Sequence, residues 1–285
     1  MVRDFLRSKI SEIQRYKVKV GVKKAGSALL SLLPQRRSAD MPRITIFMVN
    51  TNNRYALQLT IESLLKHTRY PNYEIWVADN NSTDGSIEYL ETMQTKVPLK
   101  IIRAEKNRQH PEWLDWAYRT IETPYWVGMD EDLYFLGNDW LMDLVTAIER
   151  DPMIYIIGGE KCGYLADYLE PVSSGHVQLA ERFSAYLFIM RTSLRDKVDT
   201  SFKFVMERAA NDADLALCFD TGGMLQAHAL AKGLKCEYMP WHFWFKWLHI
   251  GNLTWIFNYN VGAEMRDLKQ FQLQDIKRRL EAGKI

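Results

Sequence analysis

From residue 43 onward, apolar runs of strand length alternate with stretches of helical spacing. The first run, Ile44-Thr45-Ile46-Phe47-Met48-Val49, ends in the polar segment Asn50-Thr51-Asn52-Asn53-Arg54. A short apolar run bounded by polar residues predicts a strand buried on both faces. Leu57, Leu59, Ile61, Leu64 and Leu65 then predict a helix, and Tyr73-Glu74-Ile75-Trp76-Val77-Ala78 a second strand, followed by Asp79-Asn80-Asn81-Ser82-Thr83-Asp84-Gly85-Ser86. The step from one strand end to the next is about 30 residues, the length of a βαβ unit. A helix around Leu90, a strand at Leu99–Ile102, a helix around Trp113 to Ile121 and a strand ending at Asp130 continue the alternation. This pattern predicts an open, mostly parallel α/β sheet, Rossmann-like, with helices on both faces.

Beyond Asp130 the pattern is less regular. Strands are expected at Met153–Ile157, Arg182–Arg191 and Lys235–Met239, with a loop-rich stretch over 158–182 and a helix ending at Lys232-Gly233. Residues 261–285 form a carboxyl-terminal segment in which Leu268 to Lys284 reads as a charged amphipathic helix.

Open α/β sheets bind ligands beyond the carboxyl ends of their strands. Three polar clusters fall there: Thr51 to Arg54, Asp79 to Asp84, and Asp130-Glu131-Asp132. Helix capping accounts for Thr51 or Asn53, and for Thr83 or Asp84. It accounts neither for Asp79, several residues before its helix, nor for three adjacent acids. If the backbone stays extended, Asp130 and Asp132 point to one side and Glu131 to the other. Two hard oxygen donors so placed suit a divalent cation that also holds phosphates. No Gly-x-Gly-x-x-Gly follows the first strand, and Tyr164 stands where a phosphate loop starting at Gly158 needs lysine. A nicotinamide dehydrogenase and a P-loop nucleotidase are both disfavoured.

Ile44–Asn53, Tyr73–Ser86 and Tyr125–Asp132 resemble the family 2, GT-A-type nucleotide-sugar glycosyltransferases, the segment Asp79 to Ser86 most closely. The resemblance implies a GT-A domain over residues 43–260, with a nucleotide-sugar-binding half at 43–150 and an acceptor half at 151–260. It implies that Asp79 holds the nucleotide base with Thr51, Asn53 and Arg54 around it, and that Asn107 and Glu131 belong to the donor side. Asp130 would approach the ribose, and Asp132, completed by His249, would bind Mn²⁺ or Mg²⁺. Asp220, just before the last helix, would be the base that deprotonates the acceptor, with Asp212 and Asp214 as rivals; as a helix cap it would also be well placed. One departure is that Asn107-Arg108-Gln109-His110-Pro111-Glu112-Trp113 lacks the glycines usual after the third strand. The implied reaction is metal-dependent transfer, inverting by family habit, from a nucleotide-diphosphate-sugar to a saccharide or lipid-linked acceptor hydroxyl. Its expected setting is polysaccharide or glycoconjugate synthesis. The alternatives are a sugar-phosphate nucleotidyltransferase, disfavoured by the glycine-free Thr51-Asn52-Asn53-Arg54, and a non-catalytic GT-A-like binding protein.

Charge separates the amino-terminal arm from the body. Residues 1–43 hold eleven Lys/Arg against three acids, a net of +8, whereas the whole chain is +2, which leaves the body at −6. Nucleic-acid binding by that body is not expected. Residues 1–42 read as a basic amphipathic arm and linker, with helical spacing at Leu6, Ile10, Ile13 and at Val18, Val22, Ala25, Leu29. Such an arm lies on an anionic membrane surface or packs on the body or a second subunit, as in a homodimer. Three widely spaced cysteines give no disulfide framework, and no apolar run is long enough to span a bilayer, so a cytoplasmic setting is expected. The densest aromatic stretch, Trp241 to Gly251, could be core, a sugar-stacking surface or a membrane-interface element.

Overall fold

Strand β1 (Ile44–Asn50) is buried along its whole length, and its side chains serve two cores in alternation. Ile44, Ile46 and Met48 join one apolar cluster, while Phe47 and Val49 join the other. That two-sidedness follows from the period of two in an extended chain and places β1 inside a sheet. The computed structural model describes residues 2–31, 41–159, 161–162, 176–209, 212–260 and 262–283.

After helix α1 (Val2–Leu30) and β1, the chain runs through α2 (Arg54–His67), β2 (Tyr73–Asp79), α3 (Ser86–Gln94), β3 (Leu99–Arg103), α4 (His110–Thr120) and β4 (Tyr125–Asp130). It continues with β5 (Leu133–Phe135), α5 (Trp140–Glu149), β6 (Ile154–Gly158), β7 (Lys161–Cys162), β8 (His176–Leu179), β9 (Arg182–Phe183) and β10 (Leu187–Arg191). The remainder is β11 (Val205–Ala209), β12 (Asp212–Phe219), α6 (Gly223–Ala231), β13 (Lys235–Tyr238), β14 (Trp247–His249), α7 (Leu253–Phe257) and α8 (Arg266–Glu281). Seven strands form the central sheet in the order β13-β6-β10-β4-β1-β2-β3. Only β10 runs antiparallel to its neighbours. The expected open, mostly parallel α/β sheet is therefore present, and its parallel strands all end at one edge.

One expectation for the second half needs correction. The stretch 182–191 is not one strand but β9 and β10, separated at Ser184 to Tyr186. Phe183 and Phe188 pack in the same core cluster, which a continuous extended strand forbids for residues five apart. The stretch 212–219, to which the sequence assigned no element, forms β12, which pairs antiparallel with β11 and parallel with β8.

Helix α1 packs on the body. Tyr16, Val20, Lys23 and Ser27 form its buried stripe, against α8 and the helical turn Trp241–Phe245. Gly26 allows that approach, because a Cβ there would lie 2.1 Å from the Phe245 ring. The stripe most visible in the sequence, Val18, Val22, Ala25 and Leu29, faces outward instead. Linker residues 32–40 lie outside the described residues. Among the described residues no helix is long and apolar enough to cross a membrane.

Candidate active site

Strands β1, β2 and β4 end side by side, with Asn50 opposite Asp79 and Val49 opposite Asp130. The loops leaving them are laced together. Asn50 Nδ2 donates to Asp79 Oδ2 at 3.0 Å, and the Ser82 amide donates to Asp79 Oδ1 at 2.9 Å. Asp79 is thus buried with both oxygens engaged. Asp84 does the capping expected of several residues. It accepts from the Arg54 amide at the start of α2 (2.7 Å) and from the Ser86 amide and hydroxyl at the start of α3 (3.2 and 2.5 Å). Asn53 is released from capping and donates to Glu131 Oε1 and Thr254 Oγ1 at 2.8 and 2.7 Å.

At the end of β4 the chain does not stay extended: Glu131 and Asp132 form a turn into β5. The side chains still divide as expected. Asp130 and Asp132 converge on His249, while Glu131 turns to Asn53 and Thr254. The pairing of β5 with β14 causes this convergence, because it sets Leu133 opposite His249 and lets the Ile250 amide donate to Asp132 O at 3.2 Å. His249 Nε2 is 3.1 Å from Asp132 Oδ1 and 3.4 Å from Asp130 Oδ2. Tyr186, the residue before β10, stacks on the His249 ring with centroids 4.4 Å apart.

The electrostatics of this cluster call for positive charge. Burial disfavours the charged His249 imidazole, but Asp132 and Asp130 outweigh it and lift it to about 10. Burial pushes Asp130 up, and His249 and His110 more than offset that, leaving it below the usual carboxylate range. Glu131, buried beside Asp132 and Asp130, is pushed up to about 8. Buried Asp132 Oδ1 and His249 Nε2 have no aligned hydrogen-bond partner despite their proximity. Two carboxylates and one imidazole, with facing ligand atoms left over, fit a divalent cation such as Mn²⁺ or Mg²⁺.

The other expected residues are dispersed around this centre. Thr51 is buried and accepts from Asn80 Nδ2 at 3.2 Å, whereas Asn107 is exposed in the β3–α4 turn. The glycine-free segment there is held by Asn80, which accepts from the Arg108 amide and Trp113 Nε1 and donates to Arg108 O. Asp220 follows β12, and its Oδ2 accepts from Arg182 at 2.6 Å and its Oδ1 from the Thr221 amide at 2.7 Å. It does not cap α6, whose N-cap is Gly222 at φ 80°. The side chains of Asp212 and Asp214 lie outside the described residues. Three neighbours of the cluster went unread in the sequence: Tyr186, Arg182 and His110, whose Nε2 is 3.8 Å from Asp130. His110-Pro111 opening a helix at the ligand edge was a usable signal for the last; Tyr186 had none, since it sits in a break inside an apparent strand.

Comparison with known proteins agrees with this architecture. The model of "Glycosyl transferase family 2" matches residues 45–209. The O-antigen biosynthesis protein RfbC of Myxococcus xanthus is 24% identical over 119 residues, covering 41% of this chain but 9% of RfbC. The chain therefore corresponds to a small part of that relative. Among solved structures, the mannosyltransferase PcManGT from Pyrobaculum calidifontis, in complex with GDP-Man and Mn²⁺, is similar with a TM-score of 0.53 and 16% identity. That alignment covers 82% of this chain and 66% of PcManGT. Residues 1–349 of S. aureus TarS align less well, with a TM-score of 0.46 and 16% identity over 69% of this chain and 58% of that one.

Proposed function

The chain belongs to glycosyl transferase family 2, and from that premise we propose that it moves a sugar from a nucleotide-diphosphate-sugar to an acceptor hydroxyl in polysaccharide or glycoconjugate synthesis. Membership of the family favours this reading over a sugar-phosphate nucleotidyltransferase, and the Asp130, Asp132 and His249 cluster favours it over a non-catalytic relative. The observation that carries the finer reading is the convergence of Asp130, Asp132 and His249 at the carboxyl edge of the sheet. These three would hold the cation, Mn²⁺ or Mg²⁺. Bound there, it supplies Lewis-acid stabilisation of the charge that develops on the departing diphosphate.

The chain's own residues do the rest. Asp79, fixed by Asn50 and Ser82, takes the nucleotide base, with Thr51, Arg54 and Asn107 around the donor. Asn53, Thr254 and Glu131 form a hydrogen-bonded unit that holds the turn carrying Asp130 and Asp132. Asp220, oriented by Arg182, removes the acceptor proton as the hydroxyl attacks, and direct displacement inverts the anomeric centre. The outward stripe of α1, Val18, Val22 and Leu29 between Arg15, Lys17 and Lys19, rests on an anionic membrane surface.

Asp132→Asn tests the cation site twice. Mn²⁺ binding measured by calorimetry is expected to weaken at least tenfold, and Mn²⁺-dependent donor hydrolysis to fall to background, with unchanged melting. Wild-type Mn²⁺ affinity in the variant, or full hydrolysis in EDTA, would overturn the assignment.

A further inference from the structure

A concavity opens at the same edge of the sheet as the cluster, beyond the ends of β6 and β13. Its volume is about 380 Å³, within the range of small-molecule sites. Met239, Pro240, Trp241, Trp244, Phe245 and Trp247 line it, with Gly159 at its inner end. Among the described residues, no lining side chain carries a charge, an amide or a hydroxyl, and the indole N–H groups are the hydrogen-bonding atoms they offer. Trp241 is 76% exposed although its ring meets His242 and Phe245 edge-on.

One side chain, Tyr186, separates the inner end of the cleft from the Asp130, Asp132 and His249 cluster. A Cβ on Gly159 would meet the Tyr186 ring and hydroxyl at 3.0 Å, and Tyr186 is the residue stacked on His249. The chain from aromatic cleft to cation ligands is thus Gly159, Tyr186, His249. On its other side the cleft touches the basic helix α1, where Lys23 Nζ sits 3.6 Å over the Trp244 ring and donates to Trp244 O.

We infer that this cleft receives the hydrocarbon chain of a lipid-linked acceptor, so that the acceptor sugar is delivered to the metal centre past Tyr186. The inference rests on the glycosyltransferase reading above and names its acceptor class. A bare saccharide is a poorer occupant, because its hydroxyls would lose water against the described lining, which offers them little beyond the indole N–H groups. A hydrocarbon chain loses nothing there and gains burial against four aromatic rings. The basic helix alongside suits an anionic linkage between chain and sugar.

Octyl, decyl and dodecyl maltoside, each below its micelle concentration, can be titrated against the full chain by tryptophan fluorescence, with maltose as the chain-free control. Affinity is expected to rise by about fourfold for each methylene that leaves water, and maltose is expected not to bind. Trp241→Ala and Trp244→Leu should flatten the chain-length dependence, while the double change Val18→Ser and Val22→Ser, on the outer face of α1, should keep it. Trp241 is exposed enough that its variant retains the native melting curve, so it decides the matter if Trp244→Leu fails to fold. Affinity independent of chain length, equal binding of maltose, or loss of the dependence in the α1 variant would each overturn the inference. The assay needs neither donor nor turnover. It can fail while Mn²⁺-dependent donor hydrolysis succeeds, and the reverse, so the two readings fall separately.

Discussion

Asp220 has two partners, and they make different demands on it. The Thr221 amide needs an acceptor oxygen, which an amide side chain also offers, whereas the pair with Arg182 and the proposed proton transfer need a carboxylate. Asp220→Asn is therefore expected to melt nearly as the parent does and to lose about 10²–10⁴ in transfer rate. Normal transfer in that variant, with loss in Asp212→Asn or Asp214→Asn, would move the base to one of those residues. His67 gives a stability prediction away from the site. Burial holds its imidazole below the ordinary value, Lys66 and Arg69 add to that, and the Nδ1 contact with Asn138 at 3.0 Å opposes it. The unfolded chain takes up this proton near pH 6.5 and the folded chain resists it, so stability is lost as pH falls below about 6.5. Melting temperatures at pH 5 and 7.5 should differ less in His67→Gln than in the parent; an equal difference would remove His67 from the account.

Among the elements, α1 shows where periodicity informs and where it misleads. Both of its stripes have helical spacing, and apolarity alone selects Val18, Val22, Ala25 and Leu29, which face outward. The face that packs is Tyr16, Val20, Lys23 and Ser27, two of them polar, because Lys23 finds Trp244 O and the Trp244 ring. No window over residues 2–30 holds the partners that make a buried lysine acceptable. Tyr16→Ala is expected to cost about 3–5 kcal/mol in denaturant unfolding, as removal of a buried aromatic does, and Val22→Ser less than about 0.5 kcal/mol. The Val18→Ser, Val22→Ser double variant should also bind anionic vesicles several-fold more weakly at low salt. Parent-like vesicle binding would free the membrane from this stripe, and a concentration-dependent change in mass on substitution would assign it to a second copy instead. The βα units from β1 to β4 were legible for the opposite reason: each strand is buried by neighbours of its own kind, so a local apolar run suffices. β11 and β12 were not, since their pairing with each other and with β8 lies outside any local pattern.

Across the whole molecule, residues 43–150 and 151–260 meet in the sheet through β10. It lies antiparallel between β4 and β6, with Phe188 opposite both Gly128 and Gly158. Gly128 is there for the ring of Phe188, since a Cβ would stand 2.2 Å from it. Gly128→Ala should destabilise the protein by about 1–3 kcal/mol, read as a lowered denaturant midpoint; an unchanged midpoint would mean that the ring moves aside freely. The acids of the cluster were legible because they stand together after one strand. Its third member, His249, is about 120 residues away in sequence and is brought in by the β5–β14 pairing; only the family resemblance pointed to that histidine.

The position of β10 also sets a timetable for synthesis. Strand β4 is finished at residue 130, but the neighbour that covers its free side is complete only at residue 191. At about 5–20 residues per second, the ribosome needs roughly 3–12 s to supply those intervening residues. Throughout that interval the nascent chain presents a six-residue, largely apolar edge with unpaired amides and carbonyls, the template on which another chain can add. The same insertion that joins the two parts of the sheet in the finished protein makes its yield in a cell depend on what shields that edge while the chain is still being made.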